Sequence, residues 1–321
     1  MTAQQTEPAT VQPEQIQLSI EQIGSHGAHW QALCPNAAET VPRWLQHAVD
    51  QASLPRGLLA IDQPLPTDNW LLQAAHPHIQ IQQIIAVEGE QPMRLCSAFP
   101  SVHSPYWQDI LIQRISVCAE TLEAVLQVET LGGTRIYGFD TLYAVNAGQY
   151  QSGQAYRASF GGLAYQLEKV GAQETLTVDD PTAIRHHRAL NQILAQHNGI
   201  APADLQAQID AWQPSGADDE APVHLDLSKM AAYLFGEQLG QEDEAWFQGE
   251  ILGAQQTQLH GQLIHLYDVA ILKEEQVLPL VVRIACADFA LDTKTLQVGD
   301  YIRGNIWLQM TIHAMSTPSA P

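Results

Sequence analysis

Hydrophobic and polar residues alternate along two long stretches of the chain, one in each half. Between residues 109 and 167, β-branched and aromatic residues recur at every second position, and glycine-containing pairs and triplets interrupt the pattern. Residues 246–315 show the same alternation in the segments QLIHLYDVAIL, VLPLVVRIAC and DYIRGNIWLQMTIH. Alternation bounded by glycine turns is typical of antiparallel strands. The segment CAETLEAVLQVE also fits a helix, but the Gly-Gly pair that follows it favours a strand.

Helical periodicity dominates the region between these two stretches. In DDPTAIRHHRALNQILAQHNG, Asp180 is placed to cap a helix, Pro181 fits its first turn and Gly199 ends it. IAPADLQAQIDAW predicts a second helix and LDLSKMAAYLF a third. The chain then returns to strand at GQEDEAWFQGE. The two β-rich stretches are therefore predicted to be joined by a helical connector.

Shorter elements are predicted before the first β-rich stretch. Residues 43–49 follow Pro42 with helical spacing, and residues 69–75 predict a second short helix that Pro77 ends. HIQIQQIIAV alternates as a strand. Residues 1–22 are rich in Gln, Thr, Glu and Pro, which is typical of a flexible tail.

The order of these elements predicts the architecture. We expect an α+β fold that is mainly β, with two related antiparallel β-units of the small-barrel or OB-like kind and a helical, acidic connector. The predicted parts are a flexible tail at 1–22, an N-terminal α+β domain with an antiparallel sheet at 23–170, the connector at 171–245 and a C-terminal β domain at 246–321.

An internal similarity is the reason to call the two β-units related. Two segments lead from a glycine to an aromatic-Asp pair, LGGTRIYGFDTLY at 131–143 and LHGQLIHLYDVAI at 259–271. When they are aligned, Asp140 matches Asp268. Further along the chain, a second pair of segments aligns, GQAYRASFGGLAY from Gly153 and GDYIRGNIWLQ from Gly299, and in this alignment Arg157 matches Arg303. We interpret these lines as two copies of one folding unit, and chance similarity between two hairpins is the alternative.

Net charge narrows the range of partners. The chain has 35 acidic and 14 basic residues, which gives a net charge of −21. Such a charge repels polyphosphates and anionic lipid and attracts basic protein surfaces. Generic nucleic acid and membranes are therefore not predicted as partners, whereas a basic protein is. Acidity that serves solubility alone is the other interpretation.

Acidic residues are densest around the end of the connector. Nine of them fall between residues 218 and 250, against one basic residue. The candidate surface for a basic partner consists of Asp218, Asp219, Glu220, Glu242, Asp243 and Glu244.

The aligned residues are the other binding candidates. Asp140 and Asp268 could act as paired carboxylates for acid-base chemistry or cation binding, although an aspartate at a strand end more commonly caps a turn. Arg157 and Arg303 could pair with those aspartates across the sheet or bind a carboxylate or phosphate. Trp307 belongs to a set of aromatic residues that could either form a stacking platform or fill the core.

Motifs for cofactors, metals and nucleophiles are missing from the sequence. The 13 histidines include close pairs, but none is joined by a nearby cysteine or a HExxH pattern, so no metal site is predicted. No GxSxG or GxGxxG occurs, so no catalytic residue and no nucleotide cofactor is predicted. The four cysteines form no CxxC pair and are expected to be reduced.

The sequence favours a cytoplasmic protein, because MTAQQTEPATVQPEQ lacks the basic and apolar parts of a signal peptide. The leading hypothesis is an acidic interaction protein, of the inhibitor or immunity kind, that engages a basic protein without catalysis. A small-molecule-binding or hydrolytic enzyme with a site between the two β-units is one alternative. An OB-like nucleic-acid-binding module is another, although residues 245–321 contain only four basic residues. The oligomeric state is left open.

Overall fold

The computed structural model describes residues 17–20, 26–54, 69–74, 76–88, 91–118, 120–172, 174–198, 200–216, 219, 221–235, 242–272, 278–292 and 295–313. The chain divides by its internal contacts into two compact units. The large unit is Met1–Lys169 with Ala231–Pro321, and the small unit is Val170–Met230. Within the described residues, no helix is both long enough and apolar enough to cross a membrane.

The elements follow one another in this order. The first half contains β1 (Gln17–Ile20), α1 (Gly27–Leu33), α2 (Ala37–Asp50), β2 (Ala52–Ser53), β3 (Asn69–Ala74), β4 (Ile79–Glu88), β5 (Gln91–Val102), β6 (Trp107–Cys118), β7 (Glu123–Thr130), β8 (Arg135–Asp140), α3 (Tyr143–Asn146) and β9 (Ala155–Lys169). The small unit contains β10 (Thr175–Val178), α4 (Pro181–Gln196), α5 (Leu205–Ala211) and β11 (Val223–Asp226). The remainder contains β12 (Ala232–Phe235), β13 (Glu244–Leu259), β14 (Gln262–Leu272), β15 (Leu280–Ala287) and β16 (Tyr301–His313).

Ten strands of the large unit form one sheet in the order β1-β6-β7-β8-β16-β9-β15-β14-β13-β12. Two further pairings, β6 with β9 and β13 with β16, close this sheet into two rings. The first ring contains β6, β7, β8, β16 and β9, and the second contains β13, β14, β15, β9 and β16. β9 and β16 lie antiparallel to each other and belong to both rings. Each ring has one parallel pair, β8 with β16 and β15 with β9.

Two apolar clusters hold the large unit together. The first fills the rings and includes fully buried residues from both of them, such as Ile110, Leu126 and Ile284. The second lies where α1, α2 and the four-stranded sheet β2-β3-β4-β5 pack against the rings, and Trp307 is its largest buried side chain. β15 has one of these apolar clusters on each face, so it is buried along its whole length. This burial explains its nearly unbroken apolar sequence, LVVRIACA.

The small unit has its own core. β10 and β11 pair as an antiparallel ribbon. α4 and α5 bury Ala189, Ile193 and Ile209 between them. Asp180 caps α4 as predicted, since its carboxylate accepts a hydrogen bond of 2.8 Å from the backbone N–H of Ala183.

The prediction of a mainly β protein with antiparallel sheets is confirmed. The helices around residues 43–49, 181–196 and 205–211 are also confirmed, and the first of them begins earlier, at Ala37. CAETLEAVLQVE contains β7, so the choice of a strand there was right.

Two predicted helices are wrong. Residues 69–75 contain β3, which pairs antiparallel with β4 and sets Trp70 opposite Ile85. LDLSKMAAYLF contains the end of β11 and all of β12, which pair with β10 and β13. Both stretches are short apolar runs whose spacing fits a helix, and a neighbouring strand decides the outcome.

The predicted boundaries at 170 and 245 stay a prediction. They differ from the division by contacts in two respects. Residues 23–170 and 246–321 contribute strands to one sheet within the large unit, and residues 231–245 belong to that unit as well.

The alignment of Asp140 with Asp268 stays a prediction. Asp140 ends β8, the third strand of the first ring, whereas Asp268 lies within β14, the second strand of the other ring. Arg157 is the third residue of β9, and Arg303 is the third residue of β16.

Candidate functional site

A cavity of about 470 Å³ opens in the small unit. Its walls come from the first turns of α4 and from the chain that follows α5. It is lined by Pro181, Ile184, Arg185, Trp212, Pro214 and Asp219. Two prolines, an isoleucine and a tryptophan give it a mostly apolar surface, with one cation and one carboxylate at its edge. A concave apolar site with few charged groups suits the capture of a single apolar side chain or a small ligand.

Hydrogen bonds fix the wall that Trp212 provides. The Arg185 guanidinium donates to the backbone carbonyl of Asp210 at 2.9 Å and to that of Trp212 at 2.8 Å. The Trp212 indole N–H donates to Oε1 of Gln192 at 2.6 Å. All three bonds join α4 to the end of α5, so the two helices together fix the cavity wall.

The unit that contains this cavity is acidic. The small unit has nine acidic and three basic residues. Asp219 at the cavity edge accepts hydrogen bonds from the Ser215 backbone N–H and hydroxyl, each 2.8 Å long. Both bonds hold the pKa of the Asp219 carboxyl below its ordinary value, and the bond from the backbone N–H has the larger effect. The exposed acids of the described small unit are Asp179, Asp180, Asp204, Asp210 and Asp226.

Of the predicted candidates, Asp140 is a buried turn cap. Its Oδ1 accepts a 2.9 Å hydrogen bond from the backbone N–H of Leu142, and its other oxygen accepts one from the Tyr150 hydroxyl. Burial raises the pKa of this carboxyl to about 7. Asp140 thus ends a strand and accepts a hydrogen bond from the backbone two residues later. This is the turn-capping role that the sequence offered as the alternative to acid-base chemistry.

Asp268 is held by an arginine that the sequence analysis did not single out. Arg283 on the adjacent strand β15 donates from Nε to Oδ1 at 2.7 Å and from a terminal nitrogen to Oδ2 at 3.0 Å. The Tyr106 hydroxyl adds a 3.3 Å hydrogen bond. Asp268 and Asp140 share no partner among the described residues, so a paired-carboxylate site does not form through hydrogen bonds or ion pairs.

The two aligned arginines also pair with unpredicted partners. Arg157 lies directly opposite Asp109 of β6, with 3.7 Å between the charged atoms. Arg303 lies directly opposite Glu168 of β9 and forms an ion pair with it. Pairing across neighbouring strands was expected, but the acids are these two and neither Asp140 nor Asp268.

The acids at 242–244 contact the rings. Asp243 is buried, and its Oδ2 accepts a 2.7 Å hydrogen bond from the Trp307 indole, while desolvation raises its pKa to about 6. Glu242 forms an ion pair with Arg114, and Glu244 accepts a 2.7 Å hydrogen bond from the Tyr165 hydroxyl. Asp219 lines the small-unit cavity, whereas Asp218 and Glu220 lie outside the described residues.

Sequence reasoning missed a buried polar network in the large unit. Nε2 of His26 lies 2.7 Å from Oε1 of Glu123, and Nδ1 of His26 lies 2.9 Å from Nδ1 of His29. His29 stacks on Trp307 with 3.8 Å between ring centres, and burial, aided by His26, lowers its pKa to about 3. The close His26-His29 spacing was the one available signal, because Glu123 is 97 residues away from His26.

This network offers no activated nucleophile. The hydroxyl of Ser97 donates to Glu123, so it touches the carboxylate and no imidazole. Across the described part of the chain, no three His, Cys, Asp or Glu side chains are grouped so that they could hold a metal ion. The arrangement is that of a satisfied buried network that fixes α1 against the rings.

The small-unit cavity is a concave site in a unit with exposed acids, and its residues carry the functional argument. Comparisons of the chain with protein-family models, with characterised proteins and with solved structures gave no match.

Proposed function

We propose that this protein is an acidic interaction protein that binds a basic protein partner, without catalysis, through its small unit. The observation that carries the proposal is the apolar cavity beside Trp212, set in a unit with a threefold excess of acidic over basic residues. Binding hot spots commonly consist of one large side chain in a desolvated pocket, while surrounding charges steer the encounter.

The proposed surface differs from the one expected from sequence. Glu242, Asp243 and Glu244 are engaged by Arg114, Trp307 and Tyr165, so they are poorly placed to meet a partner. We place the surface on the exposed acids of the small unit instead. There, a partner's lysines and arginines would face Asp179 and Asp210 while one apolar side chain enters the cavity.

The test is affinity capture of the tagged protein from a lysate of its own cells, with variants that separate cavity from charge. Pro214→Glu puts a charge in the cavity wall, and Pro222→Glu is a matched control at an exposed proline outside it. We expect a basic partner that Pro214→Glu loses and Pro222→Glu retains. Equal capture by both variants would contradict the cavity as the anchor.

The charge part of the proposal needs its own measurement. Asp179→Asn with Asp210→Asn should slow association with the captured partner, and the difference should shrink as salt screens the charges. Asp109→Asn in the large unit, which removes one acid from a different part of the chain, is the control. Unchanged association at low salt would leave solubility as the reason for the acidity.

We also infer that the two rings are related, OB-like barrels. Each is a three-stranded meander whose third strand runs parallel to one shared strand, and the other shared strand completes the ring. β6, β7, β8 and β9 then correspond to β13, β14, β15 and β16. An experimental structure in which these two sets fail to superpose in that order would refute the relation.

The aromatic residues of the rings favour a protein partner over nucleic acid. Phe139, Tyr156, Tyr267 and Trp307 are buried, so they fill the core and do not offer a stacking platform. We further propose a cytoplasmic location, which the four free cysteines support because free thiols persist in reducing compartments.

A further inference from the structure

A second cavity lies in the large unit, where the end of α2 approaches β4 and the turn between β13 and β14. It has a volume of about 200 Å³. Its floor is apolar and includes the buried side chains of Ile79, Ile81 and Leu259. Three histidines, His47, His76 and His260, line it, and no carboxylate is among its lining residues. In a protein with a net charge of −21, a cleft with imidazoles and without acids stands apart electrostatically.

His76 is a fixed wall of this cleft. Its Nε2 lies 3.0 Å from the backbone carbonyl oxygen of Gln258, which can only accept, so Nε2 carries the proton. Its Nδ1 accepts a 3.2 Å hydrogen bond from the backbone N–H of Ile79. Protonating Nδ1 would break that bond, so His76 is held in one tautomer.

His47 and His260 are the other two imidazoles of the cleft. Their ring centres are 5.4 Å apart, and no hydrogen bond to another described residue engages either ring. Trp44 stacks on His260 at 5.1 Å, and His260 sits at a φ of +47° in the turn, so backbone and stacking both fix its position. Burial lowers the pKa of His260, and His47 and His76 lower it further.

We infer that this cleft binds a small carboxylate that has an apolar body. The carboxylate would accept hydrogen bonds from His47 and His260, and its hydrocarbon part would cover Ile79, Ile81 and Leu259. An anion between two imidazoles removes the mutual repulsion that disfavours their protonation, so it binds most tightly when both are charged.

The pH dependence follows from the groups that face the pair. On α2, His47 has Arg43 one turn before it and Asp50 three residues after it, and both are exposed outside the cleft lining. The segment before β4 contributes His76 and His78, and the turn between β13 and β14 contributes His260. A bound anion raises the pKa of His260 and favours the charged form of the imidazoles that bind it. Binding is therefore strong at acidic pH and weakens as the pH rises.

The probe for this site is hexanoate, with hexanol and acetate as its uncharged and short analogues. Calorimetry measures the binding of each probe to the full chain, and NMR records the histidine ring signals. Both measurements run from about pH 5.5 to about pH 8, a range that spans histidine titration. We expect hexanoate to shift the His47 and His260 signals and to bind about tenfold more weakly at the higher pH. Hexanol and acetate should bind much more weakly than hexanoate at acidic pH.

Variants localise the effect. His260→Asn suits the turn, because asparagine tolerates the same left-handed backbone, and His47→Gln changes an exposed helical position. Each should weaken hexanoate binding severalfold, while His186→Gln on α4 of the small unit should not. Four outcomes would each overturn the inference. Hexanol could bind as tightly as hexanoate, or binding could be independent of pH. The His47 and His260 signals could stay unshifted, or they could shift with zinc chloride but not with hexanoate.

Discussion

Asp140 carries a carboxyl group that the fold removes from water, and this burial should be measurable in the stability of the whole large unit. Its pKa rises from 3.8 to about 7 because burial disfavours the charged form. The folded state therefore holds the proton more tightly than the unfolded chain does, so stability falls as the pH rises from about 4 to about 7. Asp243 acts in the same direction with a pKa of about 6.

Asp140→Asn should remove one of these two contributions. We compare the free energy of unfolding of the variant with that of the wild type at each pH. This difference should shift in favour of the variant by about 2–3 kcal/mol between pH 5 and pH 8. Urea unfolding at both pH values measures this difference. Tyr150→Phe should have the opposite effect, since losing the hydroxyl bond raises the Asp140 pKa further. Parallel pH profiles for the wild type and Asp140→Asn would show that this carboxyl does not titrate as stated.

At the scale of elements, two strands approach so closely at Gly304 that only glycine fits. A Cβ there would lie 2.1 Å from the backbone oxygen of Gln166 in β9. We expect Gly304→Ala to force β16 away from β9 and to lower the free energy of unfolding by about 3 kcal/mol. Asn305→Ala changes the exposed next residue of the same strand and should cost far less. Chemical denaturation of both variants makes the comparison, and similar losses would rule out the close approach as the cause.

The N-terminus of α4 offers a second test at this scale. Asp180→Ala removes the acceptor for the Ala183 N–H and should destabilise the small unit by about 1 kcal/mol. Asp180→Ser keeps an acceptor and should recover most of this loss, which distinguishes capping from charge. Hydrogen exchange of the α4 amides is the measurement, and unchanged exchange in Asp180→Ala would contradict the role of the cap.

Local signals explain which elements could be predicted from the sequence. The cap, the proline and the spacing of α4 lie within 20 consecutive residues, so the sequence alone suffices for that helix. β3 could not be recognised, because its identity depends on pairing with β4, which the chain reaches only after the helix-like spacing has ended. The fold class was accessible from periodicity, whereas the sharing of β9 and β16 depends on contacts between distant segments.

The candidate sites show the same limit. Asp219 was named for its place in an acidic run, but the cavity that it borders depends on how α4 packs against α5. Trp307 and Asp243 were each named, yet their contact joins residues 64 positions apart and has no trace in the sequence. The histidine cleft was missed because its three imidazoles come from three separate segments.

For the whole molecule, self-repulsion among 35 acidic and 14 basic residues should lower stability at low ionic strength. Raising sodium chloride from about 10 mM to about 150 mM shortens the screening length from about 30 Å to about 8 Å. We therefore expect the melting temperature to rise by a few degrees over this range, because repulsive pairs outnumber attractive ones. Differential scanning calorimetry measures it, and a constant or falling value would mean that local ion pairs dominate.

The two strands that both rings share also set the timing of folding during synthesis. When a ribosome has released β6, β7 and β8, the parallel neighbour of β8 does not yet exist, because β16 is the last of the described strands to emerge. The second meander waits for the same strand, since β13 pairs with β16 as well. The nascent chain therefore carries open strand edges until synthesis passes residue 313, and neither ring can close before then.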